Sequence, residues 1–544
     1  MGEAGEVAVV IVGAGPVGLA MAVELGRRGV DCLLLEQTDG RIEHPRTGLI
    51  AVRSMEAFRR WGIAEEVRRC GFPDRYALSV VFCTSLRGFL LDRETYPGMA
   101  DTPTPPGTPE KKQRCPQLWM QPILQRAAAR TPGVRVRYHH RLEEFSQDAT
   151  GVNCLVREVN SDEVRHVRAR YLIGCDGAGS GIRKALGIPE QGRVLSYSVN
   201  ILIHAPGLVS RHGMGEAERY LFVQPEGTWA NLTVVDGRDI WRLTVLGSDE
   251  KLDPARLDAP ALVRRALGSD DIPFTVLSVL PWRRSETLAA EFSRGRVLLA
   301  GDSVHTMSPT GGMGMNTGIQ EVLDLGWKVE ARLRGWGGSR LLDSYTLERR
   351  PIAARNIAFS SQNFAAWLDA PSPGAVCDAT EEGERLRRAL GRRLREATRV
   401  EWESLGLQIG YRYEDSPICI PDGTAATPDD FSHYVPTARP GSRAPHAWLA
   451  DGRSTLDLFG SGFTLLSFPG ADAKAAEELC RAFQKRGVPL ATHELKEQAI
   501  AELYGRPLVL VRPDGHVAWR GECPQEVDDI VDQVRGAGAT RRAA

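Results

Sequence analysis

Three glycine-rich segments of this 544-residue chain have the residue types and spacing to hold a nucleotide cofactor. The first is Gly13-x-Gly15-x-x-Gly18, with Pro16 inside it and Glu36 beyond it. Gly13 allows a tight turn, Gly15 lets the backbone approach a pyrophosphate, and Gly18 permits close helix-strand packing. The Glu36 carboxylate can accept hydrogen bonds from ribose hydroxyls. A helix opening at Pro16 would turn unpaired amides and a favourable dipole toward the anion. This motif alone does not separate FAD from NAD. The second segment is Gly301-Asp302 with Ser308-Pro-Thr-Gly-Gly-Met-Gly-Met-Asn316. A carboxylate at a strand's C-terminal end can hold a sugar or ribityl hydroxyl. Pro309, Gly311, Gly312 and Gly314 let the backbone lie flat against a planar ring, with Met313 and Met315 as adaptable packing. A helix beginning near Asn316 would aim amides at the ring's electron-rich carbonyl end. The third segment is Cys175-Asp176-Gly177-Ala-Gly-Ser180, with Arg183 just after it.

Each segment needs a strand before it and a helix after it. Val7–Val12 is an apolar, β-branched run suited to a buried parallel strand. A helix is expected from Pro16 to Arg28, ended by Gly29, and Val30–Leu35 reads as the second strand. Arg170–Gly174 and Arg296–Ala300 are the strands expected before the other two segments. Residues 76–104 and 186–290 differ: Tyr220–Val223, Ala230–Val235 and Ile240–Leu246 are strand-like runs, and Asp236-Gly237 is a hairpin signal. That is antiparallel sheet, with Trp229, Trp241 and Trp282 available to line an apolar pocket. Asp101–Pro109 reads as a surface loop. The charged run Glu381–Trp402, with Leu386, Leu390, Leu394 and Ala397 at helical spacing, reads as an amphipathic connecting helix. Beyond about residue 437 a small α/β unit is expected: a strand near Phe463–Phe468, a helix over Ala471–Arg486, strands around Asp514-Gly515 and a last helix.

The composition excludes several classes. The chain is too long for one core, and 42% hydrophobic with 25% charged residues is ordinary for a folded globular protein. A net charge of -1 gives no reason to expect nucleic acid or an anionic membrane as partner. The ten cysteines form no Cys-x-x-Cys pair, so no metal site or dithiol is expected, and a reducing compartment fits them. The apolar run Val7–Val23 follows acidic rather than basic residues and is interrupted by glycines and a proline, so it reads as nucleotide fold, not leader. No stretch is long enough to span a bilayer, and a cytoplasmic location is expected.

In this order and at these separations, the three blocks resemble those of the single-component flavoprotein aromatic hydroxylases, the family of 4-hydroxybenzoate hydroxylase. The resemblance covers about residues 5–370. Within the family the chain is similar to 2,4-dichlorophenol hydroxylases and to antibiotic-pathway oxygenases of the rebeccamycin type. The matching stretches are Arg53-Ser-Met-Glu-Ala-Phe-Arg-Arg-Trp-Gly62, Cys115-Pro-Gln117, Gly314-Met-Asn-Thr-Gly318, Trp327-Lys328 and Tyr345-x-x-Glu-Arg-Arg-Pro351. The tail, with Ala444-Pro-His-Ala-Trp448 and Arg512–Trp519, resembles the thioredoxin-like domain of those relatives, here without Cys-x-x-Cys. The fold this implies is α/β. A Rossmann-type FAD-binding domain (1–75, 105–185 and 290–370) carries an inserted antiparallel-sheet substrate domain (76–104 and 186–289). A helical linker (371–436) and a thioredoxin-like domain (437–544) follow.

The resemblance implies a monooxygenase that takes a hydride from NADH or NADPH, reacts with O2 as a flavin C4a-hydroperoxide, and hydroxylates a phenolic or polycyclic aromatic. Oxidative ring cleavage or decarboxylation, and low-turnover sequestration of an intermediate, are the competing functions. Asp176 and Gly177 then serve FAD and the nicotinamide, and Gly301 and Asp302 the ribityl chain. Arg46 falls where the family places an arginine near the flavin, and Gln117 where it places a glutamine bordering FAD. Arg46, Pro309 and His305 are the candidates for catalysis, although a histidine in a tight loop is as often a structural hydrogen-bonder. Arg242, Trp229 and Trp282 are the candidates for substrate contact. His516 is expected at the surface. NADH versus NADPH and self-association are left open.

Overall fold

The computed structural model describes residues 5–42, 44, 48–251, 253, 256–368, 374–522 and 526–538. Among them, most strands fall into two eight-stranded sheets and one four-stranded sheet. The first sheet runs Ser293–Arg294, Val297–Leu299, Val164–Gly174, Gly5–Val12, Cys32–Leu35, Val134–Arg137. The four longest-range pairings in that row are parallel, and Val9, Val10 and Ile11 are fully buried, as a strand covered on both faces requires. The helices Pro16–Arg27 and Met313–Arg334 pack together on it. The second strand begins at Cys32 rather than Val30. Gly29 adopts φ +70° and the Val30 amide donates back to the Leu25 carbonyl at 3.0 Å, so both residues belong to the helix end.

The second sheet runs His305–Thr306, Thr275–Ala289, Glu190–His204, Ile240–Ser248, Gly227–Val234, Arg219–Gln224, Val80–Cys83, Leu90–Glu94. Strand alternation gives it two unlike faces. The outer face carries Val199, Ile201, Leu232, Trp241 and Leu243, sealed by the helix Ala259–Leu267. The inner face carries Ser198, Asn200, Asn231, Thr233, Arg242 and Thr244, placed side by side by the strand register. This polar face is turned to the first sheet: Ser278 Oγ lies 3.1 Å from His44 Nδ1, and Arg284 Nη1 donates to Ser308 Oγ at 2.6 Å.

The third sheet runs Leu490–Glu494, Phe463–Ser467, Leu508–Val511, Val517–Gly521, with the helices Ala473–Lys485 and Val527–Val534. Its core is continuous with Trp327 and Trp336 from the far end of the first unit, so the tail is welded on rather than tethered. His516 is correspondingly buried, its ring 4.3 Å from that of Tyr413, which corrects the surface expectation. Burial pushes its pKa down to about 4. No helix among the described residues is long and apolar enough to cross a membrane.

Candidate active site

Val12, Gly174 and Leu299 stand in register at the C-terminal ends of three adjacent parallel strands. The loops that follow them therefore line one crevice, the place where ligands bind in open α/β sheets. In the first loop Gly13 has φ +100°, and a Cβ there would meet the Cys175 carbonyl oxygen at 2.4 Å. A Cβ on Gly18 would lie 1.9 Å from the Gly13 carbonyl oxygen. Both glycines are demanded by the fold itself. Gly15 is different: a Cβ there would have no atom within 4 Å, and its φ of -70° strains no residue. The chain keeps open space at the helix N-terminus, where an anion would sit. Glu36 Oε2 accepts from the Ala14 amide at 2.8 Å and Oε1 accepts from Thr38, which fixes the carboxylate at the crevice edge.

In the third segment Asp176 shapes its own loop. Oδ1 accepts from Ser180 Oγ at 2.7 Å and Oδ2 from the Ile182 amide at 3.2 Å. Gly177, at φ +81°, again faces open space. In the second segment Asp302 and Pro309 are exposed to the crevice. The helix opens at Met313, one turn earlier than expected, because Gly312 at φ +66° already ends the loop. Gly314 has only Met307 near it, at 3.9 Å, while Met315 packs partly buried against the main core. The Asn316 side chain is spent inside the protein. Oδ1 accepts from the Ala51 amide and Ser54 Oγ at 2.9 and 2.7 Å, and Nδ2 donates to the Gly312 carbonyl at 2.6 Å. It therefore ties the helix Val52–Trp61 to the loop and offers a ligand only its backbone.

His305 does not reach the crevice. Its side chain is 0% exposed, and Nε2 lies 2.8 Å from Glu321 Oε1, whose Oε2 accepts from the Gly301 amide at 2.8 Å. Burial opposes its protonation, but Glu321 outweighs burial, and the pKa is raised. The histidine supports the Gly301-Asp302 turn from beneath. Gln117 is buried at the first position of the helix Gln117–Arg130. Arg46 lies outside the described residues.

The inner face of the second sheet closes over the crevice. Arg242 and Trp282 stand on it, and Trp282 Nε1 has no acceptor among the described residues. Trp229 does not. The pairing shifts from Phe222–Ala230 to Val223–Thr228, leaving Trp229 as an extra residue in a bulge. Its ring is thereby re-aimed to the outer face, stacked on Phe222 and covered by Arg265 at 4.1 Å.

The structure adds three residues that sequence reasoning missed. Arg284, buried, lies over the Phe364 ring at 4.1 Å and the Trp282 ring at 4.8 Å. Arg219 sits between Trp367 and Trp402. Glu401 Oε1 accepts from Arg219 Nη1 and from the Gly311 amide, both at 3.0 Å, and Oε2 from Trp367 Nε1 at 2.8 Å. One carboxylate thus joins the loop to the pocket wall. Burial, with repulsion from Arg114 and Arg219, lowers the Arg242 pKa to about 10. Burial likewise lowers that of Arg284 to about 9, with Arg219 and Arg242 adding to the effect against Glu401. A signal for Glu401 was present: Leu390, Leu394, Thr398 and Glu401 share the buried stripe of their helix.

An open glycine cradle, an acidic residue at the ribose position and a carboxylate at a third strand end fit a dinucleotide stretched along the crevice. A family model described as FAD binding domain matches residues 6–360, and one described as aromatic-ring hydroxylase, C-terminal, matches residues 437–537. The chain belongs to this FAD-dependent aromatic hydroxylase family. A putative polyketide hydroxylase of Streptomyces halstedii is 33% identical, over 97% of this chain and 96% of the relative. The 2,4-dichlorophenol 6-monooxygenase of Delftia acidovorans is 30% identical, over 98% and 97%. Among solved structures, RebC with bound 7-carboxy-K252c has a TM-score of 0.92 and 42% identity, over 98% of this chain and 100% of that one. RebC, a rebeccamycin biosynthetic enzyme, is also solved with reduced flavin, at a TM-score of 0.91. The hydroxylase is a flavoprotein monooxygenase that uses FAD, a nicotinamide reductant and O2 on an aromatic substrate.

Proposed function

We propose that this hydroxylase oxidises an aromatic substrate bearing an acidic group, bound between the polar inner face and the loop Ser308–Asn316. One observation carries the reading. Arg219 and Arg242, half-buried, and Arg284, buried, stand on the same polar face, and Arg242 and Arg284 are held at depressed pKa values by burial and by repulsion from neighbouring arginines, Arg114 and Arg219 for Arg242 and Arg219 and Arg242 for Arg284. An anionic substituent relieves that repulsion and anchors the ring. When bound, FAD supplies hydride acceptance and the activation of O2. The protein supplies the rest. Gly15 and the helix start at Pro16 hold the pyrophosphate, Glu36 a ribose and Asp302 the ribityl chain. Pro309 and the backbone of Gly312–Met315 bed the ring, with Gln117 at its border, and Trp282 offers the substrate an apolar wall with one donor. The sheet excludes water from the reacting atoms.

A second reading, oxidative decarboxylation or ring cleavage, draws support from the likeness to RebC. The test follows NAD(P)H oxidation by the FAD-loaded enzyme with aromatic acids and their matched esters, with mass analysis of products. Acids should stimulate oxidation and esters should not, and a gain of one oxygen marks hydroxylation whereas loss of carbon dioxide marks the second reading. Arg242→Ala should raise KM for acids by about 10- to 100-fold, the worth of one charge-assisted contact. Equal stimulation by acids and esters would overturn the assignment of an acidic substrate.

A further inference from the structure

The helix Val52–Trp61 is amphipathic in an unusual sense. Met55, Phe58 and Trp61 face the main core, and the opposite face carries Arg53, Glu56, Arg59 and Arg60. Such a charged face ordinarily meets water. Here the C-terminal unit covers it. Arg53 Nη2 donates to the Asp514 carbonyl at 2.6 Å, and Arg60 Nη2 donates to the Gly460 carbonyl at 2.6 Å. Arg60 Nη1 also reaches the Pro513 carbonyl, Arg59 binds both oxygens of Asp457 at 2.8 Å, and Arg443 Nε donates to Glu56 at 3.0 Å.

The first turn of the same helix is bound to the flavin loop. The Ala51 amide and Ser54 Oγ converge on Asn316 Oδ1, and the Asn316 amide group in turn holds the Gly312 carbonyl. A second link runs deeper. Arg512, from the hairpin that presents Asp514, donates to Asp324 at 2.8 Å and to Glu348 at 2.6 Å. Asp324 stands on the helix that opens with Met313. The C-terminal unit thus grips two elements that end at the flavin ring position, and its sequence carries no Cys-x-x-Cys motif.

We propose that the C-terminal unit is a positioning element for FAD: it fixes the helix Val52–Trp61, which through Asn316 fixes the Gly312 turn. This rests on FAD lying against that loop. The grip acts through directed hydrogen bonds to backbone carbonyls, which set position and orientation more narrowly than apolar packing does. Energy spent on closing the unit against Arg59 and Arg60 is then returned as a flavin loop already in its binding geometry.

The test compares three full-length variants by titrating apoprotein with FAD, read by fluorescence quenching and the visible flavin spectrum. Arg59→Ala/Arg60→Ala removes the pair to Asp457 and the donors to the Pro513 and Gly460 carbonyls, leaving the Arg53 and Arg443 contacts in place. Arg60→Lys retains a cationic donor. Arg486→Ala breaks the pairs to Asp528 and Asp532 within the C-terminal unit and touches neither helix nor loop. The double variant should bind FAD about tenfold more weakly, the size of an ordinary coupling between sites, with a shifted flavin spectrum. Arg60→Lys should lie nearer the parent, and Arg486→Ala should match the parent in FAD affinity even where its melting temperature falls. Parent-like affinity in the double variant would overturn the proposal. So would an equal loss in Arg486→Ala, because that would report general loosening.

Discussion

Gly15→Ala separates the cofactor's need for glycine from the fold's need for it. In the protein alone the added methyl meets nothing within 4 Å, and alanine adopts φ -70° without strain. The one structural cost is at the helix N-cap, where glycine is preferred to alanine by roughly 0.5–1 kcal/mol. In a chain of this size that amounts to a fall of about 1 °C or less in the apoprotein's melting temperature. With FAD the same methyl occupies the space through which the pyrophosphate approaches the amides at the start of Pro16–Arg27. Losing one charge-assisted hydrogen bond to a helix amide costs about 1.5–3 kcal/mol, so the FAD dissociation constant should rise about 10- to 150-fold. The assay is titration of apoprotein with FAD, with far-ultraviolet circular dichroism as the check on folding. Gly18→Ala is the contrast: its Cβ would lie 1.9 Å from the Gly13 carbonyl oxygen, so it should fail to fold rather than merely fail to bind. Parent-like FAD affinity in Gly15→Ala would refute the placement of the pyrophosphate at this helix.

Asp302→Ala should weaken FAD retention by about tenfold or more in the same titration, with circular dichroism confirming that the variant is folded. The pKa of His305 is raised in the folded state, so the stability it contributes is complete below its unfolded value of about 6.5 and lost as pH rises through the folded one. Melting temperature measured against pH should therefore decline across that window in the parent, and His305→Gln should flatten the decline. Arg512→Ala leaves Asp324, Glu348 and Asp514 buried without the guanidinium that bridges all three, while Lys328 reaches only Asp324 and Glu348 of the three. A loss of about 3–5 kcal/mol in urea unfolding is expected, and a change under 1 kcal/mol would show the cluster to be dispensable.

The nucleotide half of the molecule was legible in the sequence because its signals are local. Strand, glycine turn and helix follow one another within a few residues, and Gly13, Gly15, Gly18 and Glu36 all fall where the motif puts them. The inner face of the second sheet was half legible. Period-two alternation places Arg242 on it, but alternation misplaces Trp229, because nothing in a single strand announces a bulge set by its partner's register. His305 and Asn316 drew functional readings from their neighbourhood, yet both are spent on holding turns, which depends on Glu321 and on Ala51 and Ser54. The burial of His516 was equally out of reach, since it requires knowing that the C-terminal unit docks on Tyr413.

The bulge at Trp229 has a wider meaning for the sheet that carries it. Side chains along these strands belong alternately to a packed apolar wall and to a polar face. Asn200, Thr233, Arg242 and Thr244 make up the polar face turned to the first sheet, while Ile201, Leu232, Trp241 and Leu243 belong to the packed core. The extra residue turns the Trp229 indole from the polar face to the packed wall, while Trp282 stays on the polar face. With the substrate on the polar face, as proposed, a search for new specificities belongs on every second residue of these three strands.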